Sequence, residues 1–229
     1  MIQAIGKAIA QLSDPKFRSV ILKSLLIALI TLVLSFMFIL QLTGLIPQSD
    51  WDWVNSIVGW LSGFGSVLIA LFLFPLTMSA VIGIFLDDIA DAVEAKHYPN
   101  DPKSRDIPLW SSIWDSLKFF AVIILCNLLA LPLYLIPGVN LFVYYILNGY
   151  LLSREFFQQV AIRHHETNEV SKLRKIGSME IFLTGVAIAF CMTIPVLNLI
   201  VPIIATATMV HLYKKRANTG AASTAVNVV

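Results

Sequence analysis

The sequence predicts an all-α integral membrane protein, and three observations lead there: an apolar composition, long stretches without basic residues, and a Pro/Asn motif that occurs twice. Of 229 residues, 58% are hydrophobic and only 13% charged, and the mean hydropathy is +0.81. Too little polar surface remains to cover a water-soluble fold, so lipid must cover much of it. All 16 Lys and Arg fall into four groups, and none occurs in residues 24–95, 119–153 or 176–212. Those gaps mark the membrane segments. The net charge of +2 is small and dispersed, which argues against nucleic acid as a partner. Cys126 and Cys191 each stand alone in an apolar stretch and read as packing residues, with no disulfide framework or metal site.

The first dozen residues place Ile2, Ile5, Ile9 and Leu12 at helical spacing, as expected of an interfacial amphipathic helix. Ser13-Asp14-Pro15 then reads as a helix start, because Asp14 can cap free backbone N–H groups and Pro15 loses no hydrogen bond at the first helical position. The apolar run 20–46, interrupted only by Lys23, is the first transmembrane helix. Residues 47–53 carry Asp50, Asp52, Trp51 and Trp53 without a basic residue, the pattern of a non-cytoplasmic loop, which puts the N-terminus in the cytoplasm. Residues 53–86 are uncharged and as one helix would reach roughly 51 Å, far beyond a hydrocarbon core of about 30 Å. A break at Gly63-Phe64-Gly65 is therefore expected, with a short surface helix before it and a second span from Ser66 onward, kinked at Pro75.

Beyond this span, Asp87, Asp91 and Glu94 share a helix face that reads as solvated. A Pro-rich loop at 98–108 leads to a second amphipathic helix bearing Leu109, Trp110, Ile113, Trp114 and Leu117, expected on the membrane surface. His164 and His165 lie in a charged connection and read as surface residues. Gly59 and Gly63 form a G-x-x-x-G that would let helices approach closely.

The second half holds an internal repeat. Ile136-Pro137-Gly138-Val139-Asn140-Leu141 returns 58 positions later as Ile194-Pro195-Val196-Leu197-Asn198-Leu199. The prolines break a helix, and the asparagines supply polar groups to the backbone freed there, so each copy is a hairpin tip. The arms, 119–135 with 140–152 and 181–194 with 198–213, reach only about 20–25 Å in several cases and point to half-inserting hairpins. Basic residues flank both hairpins on one side, Lys118 and Arg154 for the first and Lys175 and Lys214–Arg216 for the second, which puts the C-terminus in the cytoplasm too. The whole reads as one polytopic membrane domain at 1–216, with two transmembrane helices, two Pro/Asn-tipped hairpins and interfacial amphipathic helices, followed by a flexible polar tail at 217–229.

The helix start L-S-D-P-K-F-R-S-V, the stretch F-L-D-D-I-A-D-A-V-E and the paired I-P-x-x-N-L tips together resemble the CysZ-type sulfate permeases and the wider group of etoposide-induced-protein-like membrane proteins. The likeness runs from about Leu12 to Tyr213. It implies a multi-pass protein of the bacterial inner membrane, a homo-oligomer that admits sulfate or a related oxyanion for cysteine synthesis. It also implies a sulfate-contacting Gly-hydrophobe-Arg element, which falls here on Lys16, Phe17, Arg18 and Ser19. The hydrophobe and one Arg match; Lys16 replaces the glycine, and Ser19 stands where a second Arg is frequent. Ile84 occupies a position that is proline in many relatives.

On physical grounds the helix start suits a doubly charged anion, through its free N–H groups, its positive dipole end and Arg18. Lys16 and Arg18 equally suit a helix end that meets lipid headgroups. Asn127, Pro137, Asn140, Pro195 and Asn198 are the candidate pore or tip residues, where amides either replace water around a passing anion or satisfy broken backbone. No G-x-x-x-x-G-K-[ST], H-E-x-x-H or G-x-S-x-G occurs, so neither an enzyme nor a cofactor is expected. Two functions remain: an oxyanion conduit, and a non-transporting membrane scaffold.

Overall fold

In the computed structural model, the described residues are 1–45, 49–105, 109–176, 178–198 and 200–226. They contain helices and turns and no strand. The chain divides into two compact units, one formed by Pro15–Leu86 and the other by Met1–Asp14 with Asp87–Val229.

The smaller unit is a helical pair with a broken return. Helix α2, Pro15–Gly44, is 30 residues long and long and apolar enough to cross a membrane. Its outward side chains Leu26, Ile30, Val33, Leu34 and Phe38 are all exposed on the protein surface, an apolar area of the kind that a membrane or a neighbouring protein covers. Phe17, Val20, Ser24 and Ala28 form the opposite stripe and are buried. The loop expected from residue 47 begins outside the described residues. Helix α3, Asp52–Trp60, runs into a wide turn at Leu61–Gly65, where Gly63 adopts φ −87°, ψ −112°. Here the helix breaks as its glycines predict, and Ser66 Oγ donates to the freed carbonyls of Ser62 and Gly63 at 3.1 and 2.6 Å. Helix α4, Ser66–Ile84, continues through Pro75 and packs against α2. Its 19 residues give a length of about 28 Å; the side chains at 70, 73 and 75–80 lie outside the described part.

The larger unit holds α1 (Ile2–Ala10), α5 (Leu86–His97), α6 (Leu109–Tyr134), α7 (Val139–Ala161), α8 (Thr167–Lys175), α9 (Ser178–Met192), the short α10 (Pro195–Asn198) and α11 (Val201–Val226). Leu117–Tyr134 within α6 is the second described segment long and apolar enough to cross a membrane. The expected surface helix and the first hairpin arm are one continuous helix. A polar stretch at Asp115–Lys118 contains no Gly or Pro, so the backbone runs straight through it. The tail expected from residue 217 is helical as far as Val226, the end of α11.

The core of this unit is α11. From Val201 to Lys214 every residue except Ile204 is buried, which places a helix apolar nearly all round at the centre of its neighbours. Helix α1 docks on it through the small residues Ala4 and Ala8. That leaves Ile2 and Ile9 exposed, as the interfacial reading requires. Helices α7 and α9 cross at glycines. A Cβ on Gly185 would lie 2.1 Å from the Gly149 carbonyl oxygen and 2.5 Å from Ser153 Cβ, so the two backbones touch directly. Gly59 and Gly63, by contrast, face open space within the protomer.

Candidate functional site

The four residues singled out at the helix start occupy the first turns of α2. Asp14 is extended, with ψ 142°, and Pro15 opens the helix. Phe17 points inward and is fully buried, while Lys16 and Arg18 are exposed and Ser19 is half-buried. The first turn contains no acidic side chain, so the positive end of the helix dipole and the two cations act in the same sense. Asp14 belongs to the larger unit, where its two carboxylate oxygens accept from Lys96 Nζ at 2.9 and 3.0 Å.

The hairpin tips share a backbone bond in the same register. Asn140 N–H donates to the Ile136 carbonyl at 3.1 Å, and Asn198 N–H donates to the Ile194 carbonyl at 2.9 Å. Both copies of the motif thus close the same backbone span, from the Ile carbonyl to the Asn N–H four residues on. Gly138 in the first tip has φ +83°, the one glycine among the described residues in that region, and it ends the turn that Pro137 begins. The second tip has Val196 there and instead winds Pro195–Asn198 into a separate short helix; the placement of the Pro195 side chain and of Leu199 lies outside the described residues. Asn140 is exposed, and its Oδ1 accepts from Leu141 N–H at 2.8 Å. Asn127 is exposed in the middle of α6, and its Nδ2 donates to the Ile123 carbonyl at 2.9 Å. Asn198 is half-buried. Within one protomer Asn127 and Asn140 therefore face outward, not into a channel.

A third cluster joins residues that lie far apart in the sequence. Arg163, at the end of α7, is buried and donates to the Asp87 carbonyl at 2.9 Å and to the Asp91 carboxylate, with Glu94 at 3.8 Å. His164 Nε2 is 2.7 Å from Glu94 Oε1, and its ring stacks on Tyr213 of α11. Lys214 completes the group, 3.7 Å from Glu94 and 3.0 Å from Asp101. Glu94 feels opposed influences: burial raises its pKa, and the His164 hydrogen bond with the charges of His164, Lys214 and Arg163 outweighs that and holds it below the ordinary value. The expectation of a solvated acidic face is thus corrected for Glu94, while Asp87 and Asp91 stay exposed, and that of a surface histidine pair is corrected for His164. Glu94 and His164 are internal, while His165 stays partly exposed beside Glu169 at 3.0 Å. The sequence did hold one signal, since Asp87, Asp91 and Glu94 sit one turn apart beside the buried Ile89, Ala90 and Val93. Arg105 ties the following loop to the same place, donating to the carbonyls of Arg163, Ile162 and His165 that the end of α7 leaves free. Among the described residues no group of three or more His, Cys, Asp or Glu could hold a metal ion.

The family described as "Sulfate transporter CysZ/Etoposide-induced protein 2.4" matches residues 4–202. The chain belongs to this family. Membership supports a sulfate-transporter-like membrane protein and covers every candidate residue named at the helix start and the two tips. No curated protein matches the chain.

Proposed function

We propose that the protein is a multi-pass inner-membrane permease or channel for sulfate or a related oxyanion, supplying sulfate for assimilation into cysteine. The match to the sulfate transporter family over residues 4–202 carries this reading. In it, Lys16, Arg18 and the free N–H groups of α2 receive the anion, with buried Phe17 anchoring the turn and Ser19 contributing its hydroxyl. Both termini face the cytoplasm, where the basic residues collect. Because Asn127 and Asn140 point away from the protomer interior, a polar path must be completed between copies, so the working form is a homo-oligomer. The pore and tip residues Asn127, Pro137, Asn140, Pro195 and Asn198 would line or shape that path.

One observation favours the scaffold instead. Asn127 and Asn140 each have one amide atom occupied by a local backbone bond, as a purely structural role demands. The test is uptake of radiolabelled sulfate by liposomes containing the protein, with Arg18→Ala and empty liposomes alongside. Saturable uptake, slowed roughly tenfold by Arg18→Ala as expected for loss of a charged hydrogen bond, supports the permease. Uptake no greater than in empty liposomes, from folded protein, turns the reading to the scaffold.

A further inference from the structure

The buried and half-buried arginines of this protein divide by their partners. Arg163 faces Asp91 and Glu94, and Arg216 faces Glu180. Arg154 of α7 and Arg174 of α8 have no carboxylate against them among the described residues. They line the same cavity of about 370 Å³, between α7, α8 and the start of α9, together with Lys175, Ser153 and Ser178. They also share the wall of a smaller adjoining cavity of about 100 Å³. No acidic side chain occurs among the described residues lining either one.

Local sequence explains the arrangement. On α8, Thr167, Val170, Ser171 and Arg174 fall at helical spacing on one face, and buried Val170 anchors that face so that Arg174, half-buried, lies on the cavity wall. Arg154 is positioned by packing, its guanidinium carbon 5.3 Å from the centre of the Phe119 ring. Its Nε is buried without a hydrogen-bond partner, an unusual state for a group that carries five donors. Two guanidiniums and an ammonium around one partly enclosed space repel each other at reduced dielectric. A doubly charged tetrahedral ion reverses that sign and accepts from both planar forks. Part of the lining is apolar, with Met179, Ile181 and Phe182, so the cavity also suits a phosphate that trails acyl chains.

We propose that the pocket between α7, α8 and the start of α9 is a binding site for a tetrahedral oxyanion gripped by Arg154 and Arg174, taken as free sulfate or phosphate or as the phosphate of an anionic lipid headgroup. The site is separate from the start of α2 and holds its ion whether or not the protein transports one.

Calorimetric titration of purified, delipidated protein with sodium sulfate and with sodium phosphate tests the free-ion source. Native mass spectrometry from nanodiscs of phosphatidylglycerol, against phosphatidylcholine alone, tests the lipid source. Arg154→Gln and Arg174→Gln should each weaken binding roughly tenfold or more in the arm that shows it. Arg154→Lys and Arg174→Lys should fall between, since charge remains and the fork is lost. Lys172→Gln, the same charge change on the exposed side of α8, should leave binding unaltered. Should Arg154→Gln fail to fold for want of its Phe119 contact, the Arg174 and lysine variants carry the result. No binding by the wild type in either arm, or binding indifferent to both arginines, overturns the proposal. Sulfate binding through these arginines without liposome uptake would sink the permease and keep the pocket; uptake with binding indifferent to them would do the reverse.

Discussion

The two hairpins begin from nearly the same tip and end in opposite surroundings. Ile136 and Ile194 accept the same backbone bond, from Asn140 and Asn198. Yet α6 exposes Ile124, Leu125, Leu128 and Leu129, whereas α11 buries almost everything between Val201 and Lys214. The motif therefore specifies reversal of the chain and nothing about burial. Burial follows from residue size along the arms. The second hairpin has Gly185 and Ala189 on α9 and Ala205 and Ala207 on α11, small enough for neighbours to close round them. The outer arm of the first presents leucine and isoleucine, which lipid solvates as well as protein does.

The sharpest way to break this arrangement is at the crossing of α7 and α9, where the hairpins meet. Gly185→Leu places a side chain where the Gly149 carbonyl and Ser153 already stand, and relief requires the helices to separate. The expected cost is about 3 kcal/mol or more, read as a fall in the melting temperature of the detergent-solubilised protein. Gly59→Ala in α3 is the control. Nothing lies within 4 Å of its added carbon, so it should be neutral or stabilising by about 0.5–1 kcal/mol through helix propensity. Equal losses for the two variants would show that the crossing does not hold the hairpins together.

These glycines show where sequence reading stops. The pair visible by spacing, Gly59 and Gly63, stands in open space within the protomer, and the pair that packs lies on different hairpins. Spacing reports neighbours on one helix; a crossing needs the register between two. Features set by a few adjacent residues were legible: the break at Gly63, the start at Pro15 and both reversals. The surface histidines were misread for the reason that hid the crossing, because His164 is internal only through Glu94, seventy positions earlier, and Tyr213. Continuity of α6 was missed because Asp115 and Lys118 look like a boundary, though polar residues without Gly or Pro do not end a helix.

The charged ends of the hairpins offer a second, smaller perturbation. Arg163 closes the first hairpin and Lys214 lies near the end of the second, and both are paired with Glu94. Arg163→Ala leaves the buried Glu94 and the adjoining Asp91 without their shared cation, at a cost of about 3 kcal/mol at neutral pH. The same cluster sets an acid limb. Glu94 has a folded pKa below its ordinary 4.5, so its contribution is complete above that value and is lost as pH falls through the folded one. His97 behaves in the same sense at higher pH. Burial first, then the charges of Lys7 and Lys96, lower its pKa below 6.5, and its contribution declines as acidification passes that point. Melting temperature against pH should therefore fall on acidification, and Glu94→Gln should shrink the lower stage without abolishing it, because Glu180, held down to about 2 chiefly by its hydrogen bond to the N-terminal ammonium, loses its contribution there as well. A lower stage undiminished by Glu94→Gln would assign it to Glu180 alone.

The smallest expected effect separates the tips themselves. Gly138, at φ +83°, holds a conformation that costs an L-residue about 1–2 kcal/mol, while nothing lies within 4 Å of the position its Cβ would take. Gly138→Ala therefore tests backbone strain without a packing change, and should destabilise by about that amount. Val196 stands at the equivalent place inside the short helix α10, where replacing it by glycine loses helix propensity worth about 0.5 kcal/mol. Exchanging the two residues, Gly138→Val with Val196→Gly, should thus harm both tips although each receives the other's residue. Were the exchange neutral, the two reversals would be interchangeable and the difference in their backbones incidental; loss at both sites would mean that one motif has settled into two distinct turns, each dependent on the residue that directly follows its proline.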